Sequence, residues 1–259
     1  MKRFNSFVFA ITSLYLALPI ISTALYAIST EWNRTVFPEG LTLKWISSLF
    51  NDLRFIEAFG RSVILSGSAV ILAVILMIPA ILIIVIYYPK YEKWIQSMVV
   101  MVYAFPPIIL AVGLINSYSG TGLSMVLILL GAYVIGILPF MYQGTRNSLR
   151  NFNARELMDA AELLGAGKLE AFRRVLLPSI YPGIFVASIL SFSVLFGEFV
   201  LVNLVVGSQF ETVQIFLIAV LKSNGHIASA VVLIYIILMG ATTVITAFLA
   251  KKSEGVTRG

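Results

Sequence analysis

The sequence predicts an all-α integral membrane protein with about six transmembrane helices, on three observations. Of its 259 residues, 59% are hydrophobic and only 12% charged, where about 25% charged is usual for a soluble domain. The apolar residues gather in about six runs of about 20, long enough at roughly 1.5 Å per residue to cross a hydrocarbon core of about 30 Å. The basic residues divide unevenly between the segments that join those runs.

The predicted spans are 6–29, 62–88, 98–117, 123–142, 180–206 and 228–250. All are read as helices, because unpaired backbone groups are too costly in lipid for any open structure. The first run follows Lys2 and Arg3 and precedes small residues at Ala27 and Ser29, features it shares with a secretory signal. Its roughly 24 uncharged residues exceed a signal core of about 7–15, so it reads as a span. In the segment that follows, Pro38, Glu39 and Gly40 mark a turn, after which Trp45, Leu49, Leu53 and Ile56 recur at helical spacing. That pattern predicts one short amphipathic helix lying on the membrane or the bundle, as a plug or a docking surface. The third span carries Pro106, Pro107 and Gly113 and should be kinked or interrupted, either to adapt packing or to open a transport path.

The fifth span holds Gly183, Ala187 and Ser191 at intervals of four, a strip of small residues where another backbone can approach closely. Glu198 follows seven residues after Ser191, nearly two helical turns, and is expected on that same face. A carboxylate at the bilayer centre costs about 2.5–3.5 kcal/mol and turns toward protein or a watery cavity. Glu198 therefore either lines a solute pathway or its gate, or makes a structural hydrogen bond or ion pair.

With both termini inside, the inner segments hold Lys2, Arg3, Lys90, Lys93, Arg146, Arg150, Arg155, Lys168, Arg173, Arg174, Lys251, Lys252 and Arg258, and the outer ones Arg34, Lys44, Arg54, Arg61 and Lys222. Thirteen against five of the 18 is a positive-inside bias. It accounts for the net charge of +6 as topology, and no nucleic-acid partner is expected. Without cysteine there is no thiol nucleophile or thiolate metal site. The single His226 reads as a solvated loop residue, and neither a two-histidine zinc motif nor a base beside a nucleophile can be assembled. No catalytic residue, metal or cofactor is assigned to this chain.

Residues 143–179 are too polar to span and fall on the inner side. Within them Leu157, Ala160, Ala161 and Leu164 mark an apolar face, Gly165 and Gly167 allow a turn, and Leu169, Phe172, Val175 and Leu176 resume the helical pattern until Pro178. Helix, turn, helix is the expectation. Gly165-Ala166-Gly167-Lys168 shares its ending with a phosphate-cradling loop, but Glu162 stands where that loop needs glycine and Leu169 where it needs Ser or Thr. A helix with small residues on one face, set in a polar loop, is built to dock.

The run Asp159-Ala160-Ala161, Gly165, Val175 and Leu177-Pro178 resembles the EAA signature of permease subunits in type I ATP-binding-cassette (ABC) importers, with Asp for Glu and Val for Ile. The resemblance implies the type I importer permease fold, with five spans over 55–250 as the core. Residues 1–54 would be an additional helix with an external segment, and 251–259 an inner tail. It also implies that Asp159, Ala160, Ala161, Leu164 and Gly165 form a coupling helix seated in a cytoplasmic ABC ATPase dimer. A second permease subunit would complete the path, and an extracytoplasmic binding protein would deliver the solute. The chain as a whole resembles the second permease of polyamine-type importers, a group with relatives for phosphonates and ferric iron. Glu198 would suit a cation, but a similar Gly-Glu-Phe stretch in sulfate- and molybdate-type permeases leaves the solute's charge open. A secondary transporter or channel working without an ATPase is the contrasting class; it commonly shows two related halves, and no such repeat is found here.

Overall fold

The computed structural model describes residues 2–32, 35, 37–149 and 153–256; Arg34, Arg150 and Arg258 of the charge count lie outside them. Helices follow one another as α1 (Lys2–Ala27), α2 (Lys44–Phe50), α3 (Leu53–Tyr87), α4 (Glu92–Ala104), α5 (Pro107–Tyr118), α6 (Met125–Gly136), α7 (Leu138–Leu149), α8 (Ala154–Leu163), α9 (Lys168–Ala171), α10 (Leu177–Phe196), α11 (Val200–Val205), α12 (Val213–Leu221) and α13 (Gly225–Val256). Among the described residues, five segments are long and apolar enough to span: Asn5–Ala27, Leu53–Tyr87, Met125–Leu149, Lys168–Phe196 and Gly225–Phe248. The segments Pro89–Ala104 and Pro107–Tyr118, which hold α4 and α5, are long and apolar enough only together and are bent by 95°, as a broken span or a re-entrant loop. The break is where the sequence expects it. Phe105 and Pro106 are extended, since a residue before proline is pushed out of the helical region and each proline lacks an N–H.

Several boundaries differ from expectation. The amphipathic helix predicted through Ile56 is two helices, because Asp52 Oδ1 accepts the Arg54 N–H at 2.9 Å and starts α3 nine residues before the predicted span at 62. Pro178 does not stop its helix. A π-turn over Phe172–Leu176 precedes it, with the Leu177 N–H reaching back to the Phe172 carbonyl, and this wider turn joins α9 to α10 around the missing proline donor. The fifth span ends at Phe196 and not at 206. At the other end of the chain the tail predicted from 251 begins as helix, since α13 runs to Val256.

The chain divides into two compact units, residues 1–60 with 211–239 and residues 61–210 with 240–259. In the first, His226 is half-buried in the opening turn of α13 and is no solvated loop residue. Its ring is stacked between Tyr26 at 4.1 Å and Trp45 at 5.1 Å. Asn224 sets that turn by accepting the N–H groups of His226 and Ile227 at 3.0 and 3.1 Å. In the same unit, Arg54 holds Glu211 with two hydrogen bonds of 2.8 and 2.6 Å.

The second unit is organised by the crossing of α7 with α10. A Cβ on Gly144 would lie 2.4 Å from Ala187 Cβ, and one on Gly183 would lie 1.7 Å from Ser148 Oγ. Two small-residue strips, Gly144 with Ser148 and Gly183 with Ala187, therefore bring the backbones together. The strip read from the fifth span has found its partner on α7.

Candidate functional site

Between α7 and α10 the chain is helix, turn, helix. Asn153 caps α8, its side-chain oxygen accepting from the N–H groups of Arg155 and Glu156 at 3.2 and 3.4 Å. At the other end Gly165 takes φ +91°, and the N–H groups of Gly165 and Ala166 return to the carbonyls of Glu162 and Ala161 at 2.9 and 3.1 Å. This is a Schellman closure, which needs a left-handed residue at the first position past the helix. Only one of the two glycines makes the turn. Gly167 has φ −68° and simply precedes α9.

The packed side of α8 is Ala154, Met158 and Ala161, and it lies against residues 168–176. That corrects the predicted apolar face: Leu157 is half-buried, while Ala160 and Leu164 are exposed with Asp159 and Gly165. Of the five residues assigned to docking, Ala161 points into the protein and the other four lie bare. Leu163, Leu164 and Leu169 are 88, 90 and 70% exposed, a tip of three leucines at the turn. Leu163 was missed in the sequence. It stands next to Leu164 at the end of α8, two residues before the glycine that closes the helix.

Glu198 occupies the gap between α10 and α11. Its Oε1 accepts the Leu201 N–H at 2.9 Å, and its Oε2 accepts the Val202 N–H at 3.1 Å and the Tyr133 hydroxyl at 3.2 Å. The expected projection from the Ser191 face is not found, since helical periodicity stops at Phe196. Ser191 stays buried on α10, while the carboxylate starts α11, where its charge complements the helix N-terminus. Tyr133 is buried on α6, so Glu198 ties α6 to the entry of α11. The carboxylate is engaged by three donors.

A cavity of about 700 Å³ opens among α3, α4, α5 and α6, lined by Met77, Met98, Met101, Phe105, Leu127 and Ile135 among others, with Tyr118 the single polar side chain. Its walls carry no charge. Such a space accepts an apolar chain or helix and would leave a hydrated ion without partners.

Residues 86–255, which include α4 to α12, match the family of binding-protein-dependent transport system inner membrane components. The chain is 26% identical over 264 residues to the spermidine/putrescine transport system permease protein PotC of Haemophilus influenzae, covering 98% of this chain and 100% of that one. It is 24% identical over 244 residues to the putative 2-aminoethylphosphonate transport system permease protein PhnV of Salmonella typhimurium, covering 93% and 89%. In three dimensions it resembles a chain from the crystal structure of a bacterial ABC transporter involved in the import of the acidic polysaccharide alginate. The TM-score is 0.65 at 18% identity, with 99% of this chain and 97% of that one covered. With its multi-span helical fold and its family match agreeing, the chain belongs to the binding-protein-dependent transport system inner membrane components, as a non-catalytic permease subunit of an ABC importer.

Proposed function

We propose that this subunit forms half of the path of a polyamine-like small molecule and is driven through the exposed tip of α8, on the cytoplasmic side, by an ATPase dimer. A second permease subunit completes the path and a binding protein delivers the solute. The observation that carries the reading is the bare leucine tip with Asp159, Ala160 and Gly165 around it. Exposed leucines on a helix anchored along its other face call for an apolar cleft in a partner. The solute assignment draws on the near full-length likeness to a spermidine/putrescine permease. An aminophosphonate, ferric iron or an oxyanion would use the same machinery. Glu198 acts on the path by holding the α10–α11 break, with its oxygens turned to backbone donors.

The test is uptake by the full complex with its binding protein in proteoliposomes. Labelled putrescine should enter only with ATP inside, and excess spermidine should compete. Gly165→Arg should abolish uptake while ATP hydrolysis continues, because the substituent strains a φ of +91° and fills the docking tip. Uptake driven by an ion gradient without ATP would overturn the importer mechanism. Competition by 2-aminoethylphosphonate but not by spermidine would overturn the solute. Normal uptake with Gly165→Arg would overturn the coupling site.

A further inference from the structure

A polar cluster joins α4 to α7 a turn before the segment that carries α8. Arg146 Nε donates to Glu92 Oε1, and the Tyr142 hydroxyl donates to the same oxygen at 2.9 Å. Gln96 Nε2 in turn donates to the Tyr142 oxygen at 3.2 Å. Glu92 opens α4 and Gln96 lies one turn on; Tyr142 and Arg146 are likewise one turn apart on α7. Two neighbouring strips thus meet through charge and hydroxyl. The Glu92 side chain is 14% exposed and that of Arg146 37%.

α7 is held in two different ways. Against α10 it packs backbone to backbone at Gly144 and Gly183, a contact without directional bonds. Against α4 it is held by this cluster, whose hydrogen bonds fix position along and around the helix. A partly desolvated ion pair contributes little net stability, and its better attested use is to specify one arrangement. Beyond Glu92 and Gln96, α4 leads straight to the 95° break at Phe105 and Pro106 and so to α5.

We infer that Glu92, Arg146 and Tyr142 form a clasp that makes α4 and the broken span follow α7 when the importer changes state. They are positioning residues for transport. The inference rests on the reading of α8 as the place where ATPase motion enters. A rocking bundle moves as a block only where its helices cannot slip past one another, and the clasp denies slip at one helix pair.

The experiment measures solute taken up per ATP hydrolysed by the full complex with its binding protein, using labelled putrescine, alongside recovery of the assembled complex. Glu92→Gln and Arg146→Gln should each lower the ratio about tenfold in assembled complex, with Tyr142→Phe lowering it about threefold. The exchanged pair Glu92→Arg with Arg146→Glu should return to within about threefold of the native ratio. It falls short because both charges then oppose the partial charges of their helix ends. A native ratio in the single variants overturns the clasp. So does a loss that the exchanged pair fails to recover, which marks local packing alone. If the charge variants do not assemble, Tyr142→Phe decides, since a native ratio there overturns the clasp and a reduced one upholds it. Gly165→Arg runs in parallel: uncoupling there with native clasp variants sinks the clasp alone, and the reverse pattern sinks only the docking role of α8.

Discussion

At the crossing of α7 and α10 there is no room for one more methyl group. Gly144→Ala places a Cβ 2.4 Å from Ala187 Cβ and 3.1 Å from the Gly183 carbonyl oxygen. Carbon atoms settle about 3.5–4.0 Å apart, so the two helices must separate by roughly 1.3 Å. Neither clashing atom sits on a bond that could rotate away. Two effects oppose each other. Alanine in a helix interior gains about 0.5–1 kcal/mol over glycine, while forcing a methyl into a filled contact costs about 1–3 kcal/mol. The upper part of that range applies because the obstruction is Cβ against Cβ, leaving a net loss of about 1–2 kcal/mol. In thermal denaturation of the purified complex the midpoint should fall by about 3–6 °C. Ala187→Gly removes the obstructing methyl, so the double variant should lose less than the sum of the singles, with a coupling of about 1–2 kcal/mol. A midpoint for Gly144→Ala at or above the native value, or strict additivity in the double variant, would refute the close-crossing argument.

Tyr133→Phe removes one of the three donors to Glu198 but keeps the two backbone donors, so it should cost about 1 kcal/mol in the same denaturation assay. Glu198→Gln keeps an acceptor but loses the charge at the start of α11, and uptake by an assembled complex should fall less than for Glu198→Ala, which removes both. Arg54→Met strands Glu211, whose side chain is 11% exposed against 55% for Arg54. The half-exposed partner keeps the loss near 1–2 kcal/mol, below the roughly 3–5 kcal/mol of a fully buried pair, and the melting midpoint checks it. Gly165→Ala, with no bulk and no charge, should cost about 1–2 kcal/mol from its φ of +91° alone. Hydrogen exchange at residues 161–166 should accelerate while the rest of α8 keeps its protection.

The sequence made the spans legible because their signal is long and redundant: some 20 apolar residues outweigh any single exception. The break at Pro106 was legible for the opposite reason, as the two prolines leave the backbone little choice. Boundaries set by one side chain were not. Asp52 splits a helix whose apolar spacing runs on through Leu53 and Ile56, and Glu198 starts a helix where hydropathy alone continues the span. In both places a carboxylate captures a backbone N–H, a local event that a window of apolar residues averages away. Pro178 misled in the same way, because the π-turn that absorbs it is visible only in backbone geometry. The helix and turn around Gly165 were legible, yet the face of α8 was turned. Ala160 and Ala161 are equivalent by composition, and only packing against residues 168–176 decides which of them is buried.

That packing also bears on how the segment would work. α8 rests on residues 168–176, which continue through the π-turn into α10 without a loop. α10 in turn is pressed to α7 where neither helix carries a side chain beyond a methyl or hydroxymethyl group. A force on the leucine tip would thus reach two spans through two helix–helix contacts and one unbroken helix, with no flexible connector on the way. The Schellman turn at Gly165 belongs to this argument. It seals the end of α8 with two backbone hydrogen bonds, so that Leu163 and Leu164 are presented from a closed helix terminus and not from a fraying one. A docking surface that transmits motion needs that rigidity more than it needs apolar area, which is why the alanine variant at Gly165 should impair coupling even though it leaves every exposed leucine in place.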